Sequence, residues 1–116
     1  MRDFFQEQLN ELNRELTRMG AACEEIIALA SDALVAYIKQ DLELARKVMA
    51  HDDVVDNYFT QIKKGIIDLI AAEPSQGEYA LDLLMIAKYF ERIGDHCTNI
   101  AEWVEFSVTG IHKDCQ

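Results

Sequence analysis

Proline occurs once and glycine five times in 116 residues. So few turn formers leave little room for the short strands of an all-β chain or for a Pro- and Gly-rich disordered one. Basic residues are scarce as well, with 11 Lys plus Arg against 21 Asp plus Glu and a formal net charge of −10. The phosphate backbone of a nucleic acid is repelled overall by such a chain, and cations or basic protein surfaces are the expected partners. No run of about 18 apolar residues occurs, and Met1-Arg2-Asp3-Phe4 has an acid where a signal peptide carries its basic region, so neither a membrane span nor secretion is expected. The three cysteines are an odd number. Cys23 and Cys97 fall on apolar seams and Cys115 in a polar tail, which suits free thiols in a reducing cytosol better than a disulfide framework. Ser-His-Asp constellations, glycine-rich phosphate loops and Cys-x-x-Cys pairs are missing too. What remains, half hydrophobic and 28% charged, suits a single helical domain large enough to bury a core without staples.

Apolar periodicity supplies the elements. Phe5, Leu9, Leu12, Leu16, Met19, Cys23, Ile26, Ala30, Ala33 and Tyr37 alternate steps of four and three, the seam of one long amphipathic helix. Lys39 suits its C-terminus and Asp41 the N-cap of the next helix. The second seam runs Ala45, Val48, Asp52, Val55, Phe59, Ile62, Ile66 and Leu69, with a carboxylate among the hydrocarbons at Asp52. Pro74 disfavours helix before it, so this helix should end near Ala72, and Ser75-Gln76-Gly77-Glu78 matches an S-x-x-E capping box. A third helix then reaches about Thr109, with Gly110 as a left-handed cap. Three long helices on short connections run up, down and up. The expected fold is an all-α antiparallel three-helix bundle over residues 1–110, followed by a frayed tail at 111–116.

The third helix carries the densest signal. Phe90, Ile93, Cys97, Ile100 and Val104 read as its buried seam, beside a small-residue stripe of Ala80, Ala87, Gly94 and Ala101 recurring every seven residues. Glu91 and Asp95 sit four apart and so project from one side of the helix, with Asn99 continuing the row. Asp52 and Asp56 repeat that spacing on the second helix. Asp56 lies 18 residues before Pro74 and Glu91 lies 17 after it, so antiparallel neighbours should hold the two pairs at similar heights. Four converging carboxylates call for protonation, for Arg or Lys partners such as Arg92, or for a metal ion. Hard oxygen donors suit Mg²⁺, Ca²⁺, Mn²⁺ or iron. A di-iron oxidase would want Glu-x-x-His motifs, and neither His51 nor His96 has a Glu three residues earlier. His96 as a phosphoacceptor is outweighed by an ordinary surface histidine. Tyr89, Trp103 and Phe106 on one flank fit packing against the first helix or a partner.

Lys88-Tyr89-Phe90-Glu91-Arg92-Ile93-Gly94-Asp95-His96, followed by Asn99-Ile100-Ala101-Glu102, resembles the third-helix motif of the PhoU family of phosphate-uptake regulators. Met19-Gly20, the Ala30 to Leu34 stretch, Asp41-Leu42-Glu43-Leu44-Ala45 and Asp52-Asp53-Val54-Val55-Asp56 resemble the first two helices of a PhoU repeat, so the likeness covers almost the whole chain. The resemblance implies a cytoplasmic, non-enzymatic negative regulator of phosphate uptake and signalling that contacts the membrane phosphate transporter's ATPase subunit and a sensor kinase. It also implies metal at Asp52, Asp56, Glu91 and Asp95, with Asn99 as an extra ligand and iron, zinc, manganese or magnesium as the ion. Typical members carry two tandem repeats where this chain has one. A lone repeat leaves a face uncovered, and a homodimer is the expected remedy. The competing reading is a carboxylate-bundle metal protein or metal-dependent enzyme unrelated to phosphate.

Overall fold

Three helices lie side by side in a body of 57 × 25 × 16 Å. α1 spans Arg2–Ile38, α2 Glu43–Ala72 and α3 Gly77–Thr109. The computed structural model describes the backbone at 2–38 and 42–110, and side chains at 4–34 and 42–110. At 1.5 Å per residue, 37 residues of α1 account for the long dimension. Among the described residues there is no strand, and no helix is long and apolar enough to cross a membrane.

The end of α2 follows the sequence, and the start of α3 departs from it. α2 stops at Ala72, as the proline ahead requires, and Pro74–Gln76 forms a short 3₁₀ turn with proline at its start. The capping box does not form. The Ser75 hydroxyl donates instead to Glu73 Oε1 at 3.0 Å, and Gln76 stands at the N-cap of α3 with no side-chain cap bond. Because Ser75 lies inside the 3₁₀ turn, α3 starts at Gly77, one residue later than a box capped by Ser75 would start it. Leu42 stands at the N-cap of α2; Lys39, Asp41, Tyr37's side chain and the 111–116 tail lie outside the described residues. At the far end Gly110 takes φ 78°, and its N–H bonds the Phe106 carbonyl at 2.6 Å, the expected left-handed cap.

The core divides into two parts. One packs Leu12, Leu16, Met19, Cys23, Val55 and Ile62, with Ile66, Leu69, Ala80, Leu83 and Ala87, and Phe59 and Phe90 lean against it. The other is built mainly from smaller groups, Ala30, Ala33, Ala45, Val48, Cys97 and Ala101, around Ile26 and Val104. Among the described residues, α1 and α2 bury the expected seams except at Phe5, Leu9, Asp52 and Phe59, which are half-buried. α3 is rotated from its expected seam. The stripe Ala80, Ala87, Gly94 and Ala101 lies in the core, whereas Phe90 and Ile93 are half-buried and Ile100 is 40% exposed. Small residues at the line of contact let α3 approach its neighbours closely. The bulkier residues beside them are thereby turned toward the flank next to α1.

Candidate metal centre

Asp52 sits where the two parts of the core meet, between Val48 in one and Val55 in the other. Its position depends on Gly94. A Cβ at Gly94 would lie 2.6 Å from Asp52 Oδ1 and 3.2 Å from Val55 Cγ1, so the mid-helix glycine makes room for a carboxylate from the opposite helix. That explains a residue that otherwise weakens α3 by about 1 kcal/mol against alanine. Asp52 Oδ1 is buried and has no hydrogen-bond partner, and the Thr98 hydroxyl is likewise buried without a partner. Leaving such an oxygen unsatisfied is costly.

One turn along α2, Asp56 joins it, and Asp95 completes the group from α3. One carboxylate oxygen from each of the three lies within 4.8 Å of the others. Burial, followed by the charges of Asp56 and Asp95, pushes the Asp52 carboxyl up to about 6, and the nearby Thr98 hydroxyl only partly offsets this. Burial and then the charges of Asp95 and Glu91 raise Asp56 in the same direction. Both shifts express the same conflict: three acids share a space that favours fewer negative charges.

The remaining expected ligands lie apart from this trio. Glu91 approaches closely enough for its charge to act on Asp56, but its Oε1 accepts a bond from Lys88 Nζ at 2.6 Å. Lys88, which also lies over the Phe59 ring at 5.2 Å, thus takes the place expected of Arg92. The Arg92 guanidinium stacks instead on Tyr89 at 5.2 Å. Lys88 stands three residues before Glu91, a spacing that pairs charges on a helix, so this partner was readable in the sequence. Asn99 is exposed and lines a groove with His96, Trp103 and Leu34. His96 is exposed as well, and no acid among the described contacts orients it.

The donor chemistry is that of hard oxygen. Cys23 and Cys97 are buried free thiols close to Asp52. Burial, then the charges of Cys97 and Asp52, lifts Cys23 to about 11, and burial and Asp52 raise Cys97 as well. Both sulfurs stay protonated at neutral pH and are poor ligands in that form. Cys23 Sγ donates instead to the Phe90 carbonyl at 3.3 Å. Three convergent carboxylates, one with an orphaned buried oxygen, fit a hard divalent or ferric cation, which would neutralise the repulsion without a bulky side chain.

Fold and patch together place the chain among all-α bundles that present carboxylates between two antiparallel helices. Residues 16–104 match the PhoU domain, and the chain belongs to the PhoU family. It is similar to the phosphate-specific transport system accessory protein PhoU homolog of Caulobacter vibrioides, at 35% identity over 102 residues, covering 88% of this chain and 43% of that protein. The homolog of Clostridium acetobutylicum is 29% identical over 108 residues, covering 93% and 48%. PhoU homolog 1 of Thermotoga maritima is 31% identical over 100 residues, covering 86% and 42%. The chain therefore spans less than half the length of these curated relatives. No solved structure matches it significantly.

Proposed function

We propose that this chain is an accessory regulator in phosphate-specific transport, acting by protein contacts and not by catalysis. The observation that carries the reading is the PhoU-domain match over residues 16–104, joined to relatives named as accessory proteins of that transport system. In this reading the protein works in the cytoplasm as a homodimer and restrains phosphate uptake and phosphate-responsive signalling. It does so by contacting the ATPase subunit of the membrane transporter and the sensor kinase. Asp52, Asp56 and Asp95 hold a metal ion, iron, zinc, manganese or magnesium. Glu91 joins them when it leaves Lys88, and Asn99 would need a change of rotamer to contribute. The ion supplies positive charge that fixes α2 against α3. The residues themselves supply hard oxygen donors, and Gly94 supplies the space. Among the described residues no nucleophile paired with a base lies at the patch, which favours a contact role over a catalytic one. An acidic surface also suits a basic patch on the transporter subunit.

Co-purification with the transporter's ATPase subunit tests this reading directly. Recovery above background that falls with rising salt is the expected result, and recovery no better than an unrelated acidic bundle overturns it. A second reading, a carboxylate-bundle metal protein without a phosphate role, is favoured by one observation, the orphaned Asp52 oxygen. Oxygen consumption on adding ferrous iron, abolished by Asp52→Asn, would support that alternative.

A further inference from the structure

α3 is apolar on more sides than a bundle of three helices can cover. Of the twelve large apolar side chains that stand exposed among the described residues, seven belong to α3, three to α1 and two to α2. A helix with a second apolar side calls for a further neighbour on that side. The uncovered side is the flank next to α1, where Ile100 and Trp103 of α3 line grooves with Ile27 and Leu34 of α1 and exposed Ile86 and Tyr89 continue the row toward the start of α3. Two adjoining grooves run along it. One of about 490 Å³ is bounded by Leu34, His96, Ile100 and Trp103, and the other, of about 300 Å³, by Ile27, Leu34, Cys97 and Ile100.

The charges on this flank indicate what covers it. From residue 89 to 103 the exposed positions Tyr89, Arg92, His96, Asn99, Ile100 and Trp103 carry no carboxylate, in a chain of net charge −10, and the one exposed acid of the stretch, Asp95, is turned toward Asp52 and Asp56 of α2. Acids return only at Asp82, seven residues before Tyr89. The α3 acids Glu91 and Asp95 lie on the other flank, against α2. Two copies of so acidic a chain can meet closely only where neither presents carboxylates, and no carboxylate lines either of these grooves. Its size agrees. Six side chains about half exposed open roughly 600–700 Å² per copy, near the ~800 Å² that each partner gives to a standard specific interface. Tyr89, His96 and Trp103 recur every seven residues, as do Ile86, Ile93 and Ile100, the repeat by which one helix meshes with its mate.

We infer that the α1–α3 flank, centred on Ile100 and Trp103, is the self-association face, on which a second copy packs two-fold with α3 against α3. The inference rests on the homodimer of the proposed function but needs neither its metal nor its transporter contacts. In the pair α3 becomes central, and the Asp52, Asp56 and Asp95 patch stays on the outside of each copy.

Trp103 is the sole tryptophan and is 55% exposed, so its emission reports on this face directly. Sedimentation equilibrium and tryptophan emission, followed together across the micromolar range at low and high salt, test the inference. The expected result is a pair whose formation shifts the emission to the blue along the same concentration curve. Association should tighten with salt, because screening relieves repulsion between like-charged copies. Ile100→Glu should weaken it at least tenfold while leaving helicity and metal content at the parent's values, and Ile67→Glu on α2 should leave it unchanged. A parent that stays single at all concentrations overturns the inference. So does a pair that survives Ile100→Glu, or one whose Trp103 emission stays that of an exposed indole. Should Ile100→Glu fail to fold, the parent's emission shift decides. Loss of metal or of transporter co-purification with pairing intact would count against the proposed function alone.

Discussion

The two flanks of α3 differ in what they leave unsatisfied. Toward α2 the helix meets its neighbour through Gly94 and Asp95, and the unmet demand there is electrostatic: three carboxylates crowd together and one buried oxygen has no donor. Toward α1 it leaves grooves open beside a packed contact line, and the unmet demand is hydrophobic, carried by Ile100 and Trp103, with Tyr89 farther along the helix. The stripe of small residues produces both conditions. By drawing α3 close to α2 it brings acids within reach of each other, and by occupying the contact line it turns the bulky residues outward.

Gly94→Ala tests the tight flank hardest. Alanine gains helix propensity, yet its Cβ must displace the Asp52 carboxylate and crowd Val55, so a net loss of about 2 kcal/mol in urea unfolding is expected. Adding Asp52→Ala should return most of that loss, and two strictly additive effects would show that the glycine is not there for the carboxylate. Asp52→Asn comes next, with metal-free stability raised by about 1 kcal/mol at neutral pH. The sign follows from linkage. Because the folded-state value of about 6 lies above the ordinary 3.8, the fold favours the protonated acid, and this contribution is complete below pH 3.8 and fades as pH rises through 6. Asparagine does not titrate, so the variant's advantage should appear across that window and vanish at its acid end. Bound metal reverses the slope, since protons compete for the same oxygens and affinity should fall below pH 6. Isothermal titration across this range would read that reversal.

Lys88→Ala should have a smaller effect, about 0.5 kcal/mol or less on stability, because the Lys88–Glu91 pair is partly exposed. Its informative result lies elsewhere. Freed from lysine, Glu91 should tighten metal binding at the trio, and unchanged affinity would remove Glu91 from the ligand set. On the loose flank Tyr89→Ala should change monomer stability least, by a few tenths of a kcal/mol, since it loses only the exposed stacking with Arg92. Guanidinium or thermal unfolding of the metal-free protein would measure both.

Much of the architecture was legible because the α1 and α2 seams keep their spacing from end to end, and the one carboxylate on a seam, Asp52, pointed to the candidate site. The approximate height of the acidic pairs followed from counting outward from Pro74. The rotation of α3 was not legible. Its apolar residues occupy so much of its circumference that periodicity alone could not choose between the alanine stripe and the Phe90–Val104 seam. The spacing of Lys88 and Glu91 offered their pairing, but not that it holds Glu91 apart from the trio, because that depends on which rotamer Lys88 adopts. The failed capping box has a similar origin: Ser75 can bond several neighbours, and Glu73, two residues back, lies nearer than the helix it was expected to cap.

The division of the core at Asp52 also bears on how the molecule opens. One part is packed with leucine, isoleucine and methionine, the other largely with alanine and valine, which remove less apolar surface from water per residue. Amide exchange should therefore be slower around Ile62 and Leu69 than around Ala45 and Ala101, as if two cooperative units met at a polar waist. A cation bound at that waist would tie α2 to α3 across the boundary and slow exchange on both sides. Ion binding would then be visible as a change in cooperativity far from the carboxylates themselves.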